Sequence, residues 1–149
     1  MQPEVFDLFP LSVFKDKISL SLNEKKKIVD HIFKLEEETE NFDKRKNEAW
    51  LGDTKGHEFL LKNPIMKNLS KLIGEKIREY TEMLSIDNQK IEFFYQRSWA
   101  TITRQEERIH LHSHDQSNIS FAYYPLKPKD SGNISFLVDP PQNEIATGL

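Results

Sequence analysis

The chain has 149 residues, no cysteine and a formal net charge of −3. A chain of this length suits one globular domain, which we expect to include residues 1–149. The sequence has no thiol for disulfides, thiolate metal sites or a cysteine nucleophile. The slightly acidic charge argues against a general nucleic-acid-binding protein, and no apolar run is long enough to span a membrane. Because the N-terminus lacks the basic, apolar pattern of a secretory signal, we expect a cytoplasmic protein.

The first predicted helix runs from Leu22 to about Glu38. Ser21 and Glu24 have the spacing of a capping box, in which each residue's side chain binds a free backbone N–H of the first turn. The acidic residues 36–38 oppose the helix dipole, so we expect the last turn to fray. Apolar residues recur at helical spacing, at positions 28, 32 and 35.

A second helix is predicted to begin at Asn63-Pro64, a cap followed by the residue favoured at the first helical position. Its apolar face continues to about Ser85. A long polar connection, residues 41–62, lies between the helices and holds Trp50 and His57. Connections of this length are usually functional or mobile, and we interpret this one as a loop that crosses a groove.

From residue 91 the apolar period changes from 3.6 to about 2, which is typical of β-strands. Turn-forming residues separate the apolar segments, as in antiparallel sheets. The sequence therefore predicts an α+β protein, or a helix-supported β-sandwich, in which residues 1–89 support a sheet formed by residues 90–149. The predicted strands are residues 91–95, 99–103, 109–113, 119–126 and 134–138.

Three of the five histidines occur together in the segment RIHLHSHD. On a strand, His110, His112 and His114 would project from one face, with neighbouring histidines roughly 6–7 Å apart at the backbone. Two such imidazoles can bind one cation, and neutral imidazole suits iron, zinc, copper and nickel. The alternative is a structural or solvated stripe of histidines. We favour metal binding, because three aligned histidines rarely arise by chance.

Other histidine-rich families fit the sequence less well. Histidine-triad hydrolases need hydrophobic residues where this chain has Ser113 and Gln116, and cupins need a glutamate near Asn118. Metallo-β-lactamase-like hydrolases place an aspartate before the third histidine, whereas Asp115 follows His114. A metal-dependent hydrolase remains an alternative, although the sequence contains no G-x-S-x-G, P-loop or H-E-x-x-H motif.

One family matches segments along most of the chain. The segments LFPLSVF, AWLGDT, SWATI and HLHSHDQSNISFAYYPLKPKDSGNISFLVDP follow in this order. Together they resemble the 2-oxoglutarate/Fe(II)-dependent oxygenase superfamily, and especially a poorly characterised branch common in marine bacteria and phages. The matching positions are His112, His114, Ser120, Tyr124, Gly132, Phe136, Asp139 and Pro140.

The resemblance implies an incomplete double-stranded β-helix (jelly roll) sheet backed by the two helices. It also implies a hydroxylase-type oxygenase that uses Fe(II) and 2-oxoglutarate. His112 matches the first iron ligand, and His114 is the natural second ligand. Tyr124 matches a tyrosine that binds the distal carboxylate of the co-substrate, although a half-buried sheet aromatic is an equal alternative. Asp115 is a weaker ligand candidate, since it would point to the other face of a strand.

Four other residues could lie near the predicted metal site, and each has its own interpretation. His110 lies outside the matching pair, so we interpret it as a flanking residue. Trp99 is assigned to the core rather than to the site. His57 and Trp50 either cover the mouth of the site or are plain loop residues.

The sequence departs from the family pattern in its C-terminal part. It contains no histidine after His114 and no arginine after Arg108. The family uses a distal histidine as the third ligand and an arginine for the co-substrate, so we expect a truncated domain that binds iron weakly and lacks turnover alone. Open strand edges are expected to pair in a homodimer. The alternative function is that of a non-catalytic β-sandwich binding or interaction module.

Overall fold

The computed structural model describes residues 12–39, 47–114 and 116–137. Within these ranges, the α-helices are α1 (Leu22–Thr39) and α2 (Lys67–Met83), and the strands are β1 (Trp50–Leu51) and β2 (Thr101–Ile102). Short 3-10 helices lie between β1 and α2, at Asp53–Lys55, Leu60–Lys62 and Pro64–Met66. None of the helices described has the length and apolar character needed to cross a membrane.

Helix α1 begins at the predicted capping box. The Glu24 carboxylate accepts hydrogen bonds from the Ser21 N–H and hydroxyl at 2.9 and 2.6 Å, and the Glu24 N–H donates to the Ser21 hydroxyl at 3.2 Å. These hydrogen bonds lower the pKa of Glu24 from its usual 4.5, and the bond from the Ser21 hydroxyl has the largest effect. The predicted helix from Leu22 is confirmed, and it extends to Thr39.

The C-terminal turn of α1 is held by contacts that its own sequence does not reveal. Arg104 binds the buried carboxylate of Glu36. The Thr39 hydroxyl donates to the Leu35 carbonyl at 2.8 Å and accepts from the Trp50 indole N–H at 3.0 Å. The prediction that the last turn frays was wrong. The acidic residues 36–38 are unfavourable at this end of the helix dipole, and Arg104 from a distant segment offsets their charge.

Helix α2 follows the predicted Asn63-Pro64 start. The Asn63 side chain accepts a hydrogen bond from the Ile65 N–H at 3.0 Å, and a 3-10 turn then leads into the helix. At the other end, the Asn88 amide donates to the Arg78 carbonyl at 3.0 Å and its oxygen accepts from the Thr81 hydroxyl at 2.7 Å. The second helix is therefore confirmed, with its last residue at Met83 rather than Ser85.

The apolar faces of the two helices meet in the core. Tyr95 and Tyr123 also pack against it, and burial raises the pKa of both phenols. The Tyr95 hydroxyl donates to the Ser70 carbonyl at 2.6 Å, which attaches the segment after α2 to the helices. The buried apolar residues of this cluster are Leu20, Ile28, Met66, Leu69 and Ile73.

The sheet is smaller than the sequence predicts. Strands β1 and β2 pair antiparallel, with Trp50 opposite Ile102 and Leu51 opposite Thr101. β2 lies within the predicted strand 99–103. In the described part of the chain, the segments 91–95, 109–114, 119–126 and 134–137 form no strand, and position 138 lies outside it. Alternating apolar residues favour a strand, but a strand also needs a neighbour for its backbone groups.

The connection between the helices is more ordered than a loop that crosses a groove. Residues 40–46 lie outside the described ranges, and the rest of the connection contains β1 and two 3-10 helices. The Gly52 N–H donates to the Ala100 carbonyl at 2.9 Å, so the connection continues the contact with the β2 segment. A Cβ at position 52 would lie 3.1 Å from that carbonyl oxygen and 3.2 Å from the Trp50 ring. Glycine, which has no side chain, avoids both close contacts. The jelly roll remains a prediction.

Candidate functional site

The histidine segment follows β2 and is anchored by one backbone bridge. Arg108 forms an isolated parallel bridge with Glu48, and residues 109–114 continue from it. The prediction that this segment is a regular strand was wrong, because the described chain provides no neighbouring strand for it. The alternation of side chains on a strand therefore does not account for the positions of the three imidazoles.

The structure nevertheless brings two of the three imidazoles together. The rings of His112 and His114 are 5.0 Å apart between centroids and inclined by 45°. The His110 ring instead lies against another part of the chain, with its Nε2 3.2 Å from a carboxylate oxygen of Glu48. The interpretation of His110 as a residue flanking the pair agrees with this arrangement.

Hydrogen bonds at Nδ1 orient both rings of the pair. The His112 Nδ1 lies 2.8 Å from the His110 carbonyl oxygen. Because a carbonyl only accepts, this Nδ1 carries the proton, and the Nε2 of the neutral ring keeps its lone pair. The His114 Nδ1 is 2.9 Å from the Ser120 hydroxyl. Histidine ligands of metals commonly use their second nitrogen in this way.

Trp99 lies at the histidine pair. Its ring meets the His114 ring edge to face, with 5.6 Å between centroids and an angle of 74°. The indole is half-buried, and the Arg97 guanidinium lies 5.4 Å from its ring. Asp53 and Glu58 in turn lie 3.6 and 3.4 Å from Arg97. The assignment of Trp99 to the core was wrong, because Trp99 is outside the buried cluster and contacts a candidate ligand.

Tyr124, the predicted co-substrate contact, is 52% exposed. The Lys127 ammonium lies 5.9 Å from its ring. Among the described residues, its hydroxyl has no hydrogen-bond partner, and no ring contact joins it to either histidine of the pair.

The other sequence-predicted residues fall into three groups. Trp50 is buried and its ring centroid lies 6.5 Å from that of His57, whose Nε2 is buried without a hydrogen-bond partner in the described ranges. Both residues belong to the connection between the helices. Gly132 and Phe136 are exposed. Asp115, Asp139 and Pro140 lie outside the described residues.

A third metal ligand is not found in the described ranges. They contain no group of three or more His, Asp or Glu residues that could hold a metal ion. Within these ranges, the structure thus provides two imidazoles with an aromatic neighbour, and it provides no third iron ligand.

Comparison with known proteins adds no family assignment. No family model, curated protein or solved structure matches this chain.

Proposed function

We propose that this chain is a non-haem Fe(II)/2-oxoglutarate-dependent oxygenase domain of the hydroxylase type. His112 and His114 are its metal ligands, and Tyr124 is its contact for the co-substrate. The observation that supports the proposal best is the histidine pair itself, whose rings are 5.0 Å apart. The order of the matching sequence segments, from LFPLSVF to the histidine segment and its tail, gives independent support.

The donor set suits the proposed metal. Imidazole nitrogen is a good ligand for Fe(II), and a site for O₂ chemistry needs open positions beside its protein ligands. Because the Nδ1 of His112 is bonded to a carbonyl, its Nε2 is the atom available for a cation. When bound, Fe(II) supplies the activation of O₂ that couples oxidative decarboxylation of 2-oxoglutarate to hydroxylation of a substrate C–H bond.

Two further side chains have roles in this proposal. Trp99 packs its ring against His114 and limits the orientations that the imidazole can adopt. Tyr124 donates its hydroxyl proton in a hydrogen bond to a carboxylate of the co-substrate.

The test of metal binding uses Co(II), whose visible absorption reports its ligands. We expect the wild-type chain to bind one Co(II) weakly under anaerobic conditions, because the described ranges supply two ligands only. His112→Ala and His114→Ala should each weaken this binding at least about ten-fold. His110→Ala is the matched control, because it removes a neighbouring imidazole but keeps the carbonyl that orients His112. Equal Co(II) affinity in the wild type and in a His112→Ala/His114→Ala double variant would refute the proposed ligands.

A second measurement separates an oxygenase from a metal-binding module without catalysis. We expect 2-oxoglutarate to change the absorption spectrum of the Co(II)-loaded chain, and Tyr124→Phe to raise the concentration required. If Co(II) binds at the pair but 2-oxoglutarate leaves the spectrum unchanged, the oxygenase proposal fails and the non-catalytic module is favoured.

A further inference from the structure

The histidine pair presents two ring nitrogens to its surroundings. The Nδ1 atoms of His112 and His114 are occupied by the His110 carbonyl and the Ser120 hydroxyl, whereas their Nε2 atoms make no hydrogen bond or ion pair with any described residue. A metal lies about 2.0–2.1 Å from an imidazole nitrogen, so two rings that bind one ion at a tetrahedral angle have centroids roughly 5 Å apart. The 5.0 Å between the two centroids agrees with this spacing.

The pair alone fills half of a tetrahedral site. Sites closed by protein have four ligands, and two imidazoles supply two of them. Among residues 12–39, 47–114 and 116–137, no third His, Asp or Glu joins the pair. A closed site therefore needs donors from elsewhere, and a second copy of the chain would bring the same pair of imidazoles again.

Exposed apolar side chains adjoin the pair. Leu111 directly precedes His112 and is 76% exposed. Phe121 follows Ser120, whose hydroxyl contacts His114, and it is 42% exposed. Covering such side chains is favourable, and a stable dimer covers about 800 Å² per partner. Both copies of a two-fold dimer use the same surface, so residues at the axis meet their own counterparts.

We propose that two copies of the chain share one divalent metal ion, bound by the Nε2 atoms of His112 and His114 from each copy. The pairs would then lie at the two-fold axis, with Leu111 and Phe121 of both copies packed around them. Four neutral imidazoles suit zinc, cobalt, iron, copper or nickel.

A shared ion would have a different role from an ion on a single pair. With four protein ligands it has no open position, which is typical of structural sites, and it would hold the two copies together. In the proposed oxygenase it would also lack the positions that O₂ and 2-oxoglutarate require, so sharing would switch the site off. This consequence for turnover rests on the proposed function, whereas the sharing of the ion does not.

An anaerobic Co(II) titration of the full chain tests the sharing, since tetrahedral Co(II) absorbs visible light more strongly than octahedral Co(II). We expect the absorption to reach its maximum at one Co(II) per two chains. Excess Co(II) should then lower it, because each pair takes a weakly bound ion of its own. Absorption that rises steadily to one Co(II) per chain would overturn the shared site and leave the proposed ligands standing. No binding at the pair would overturn both proposals.

Sedimentation equilibrium gives a second, independent measurement. We expect half an equivalent of Co(II) per chain to strengthen the dimer about ten-fold or more, because an ion bound across the interface is linked to association. This increase should disappear in the His112→Ala/His114→Ala double variant. His110→Ala is the matched control and should keep it. Equal dimer affinity with and without Co(II) in the wild type would contradict the proposal.

A variant distant in sequence from the histidines tests the surface. Phe136→Lys places a charge among the exposed apolar side chains and leaves both imidazoles in place. We expect it to lose the absorption maximum at half an equivalent and to keep weak binding of one Co(II) per chain. Leu22→Lys, on α1, should behave as the wild type. An unchanged maximum in Phe136→Lys would show that this apolar surface does not bring the two pairs together.

Discussion

Arg104 binds Glu36 through two parallel hydrogen bonds, from Nη1 to Oε1 at 2.6 Å and from Nη2 to Oε2 at 2.7 Å. The two residues are 68 positions apart in the chain, and Glu36 is 3% exposed. A buried carboxylate is unfavourable without a paired cation, so this bidentate contact holds the end of α1 against the segment after β2. It therefore connects the helices to the part of the chain that carries the candidate metal ligands.

Removing the guanidinium should destabilise the fold, because Glu36 would remain buried without its cation. We expect Arg104→Met to lower the free energy of unfolding by about 2–3 kcal/mol, measured by urea denaturation at neutral pH. The value is below that for a fully buried pair, since the Arg104 side chain is 44% exposed. Arg78→Met is the control on an exposed helical arginine. Equal stability of these two variants would contradict a structural role for the pair.

The capping box of α1 should make stability depend on pH in the acid range. The pKa of Glu24 is lower in the folded protein than its usual 4.5. Ionised Glu24 therefore favours the folded state above about that pH, and this contribution is lost as the pH falls through the lowered pKa. We expect Glu24→Gln to lose less stability than the wild type between pH 7 and pH 3, measured by urea denaturation. Glu92→Gln should follow the wild type, and an unchanged pH dependence in Glu24→Gln would contradict the prediction.

The helices could be predicted because their signals are local. Ser21 and Glu24 lie within one helical turn, and Asn63 caps the turn that follows it. A strand requires a partner that may lie far along the chain, so alternating residues such as those at 119–126 indicate a side-chain pattern without specifying a neighbour. The pairing of Trp50 with Ile102 joins positions whose relationship is not visible in either segment alone.

The same distinction applies to the candidate site. His112 and His114 are two residues apart, so their sequence alone suggested that the rings could be neighbours. The contact of Trp99 with His114 and that of Glu48 with His110 join separate segments. Neither position has a local pattern that marks it as part of a site, which explains why Trp99 was assigned to the core.

The position of Trp99 gives an optical test of the metal site. A paramagnetic ion bound at His114 would lie close to the Trp99 indole and should quench its fluorescence. Since the sequence has two tryptophans, we expect Co(II) to quench the wild type and Trp50→Phe, but to have little effect on Trp99→Phe. A fluorescence titration compares the three proteins. Quenching that persists in Trp99→Phe would place the bound ion near Trp50 instead.

The last prediction concerns large apolar side chains that are exposed after α2. If each exposes about half of the 150–250 Å² of a large aromatic side chain, their combined apolar area is on the order of 1,000 Å². A stable dimer covers about 800 Å² per partner, which is comparable to this combined area. These residues are Leu84, Ile91, Phe93, Phe94, Ile109, Leu111, Phe121, Leu126, Ile134, Phe136 and Leu137.

We therefore expect a second copy of the chain to cover these side chains, because the apolar area is sufficient for a dimer. Light scattering coupled to size-exclusion chromatography should show a dimer for the wild type at micromolar concentrations. Phe136→Lys should shift it to the monomer, since a cation placed in the interface would lose its hydration without a partner. Leu22→Lys is the matched control, because Leu22 is 87% exposed on α1 and lies outside this surface. A monomeric wild type at high concentration, or dissociation in both variants alike, would contradict pairing through this surface.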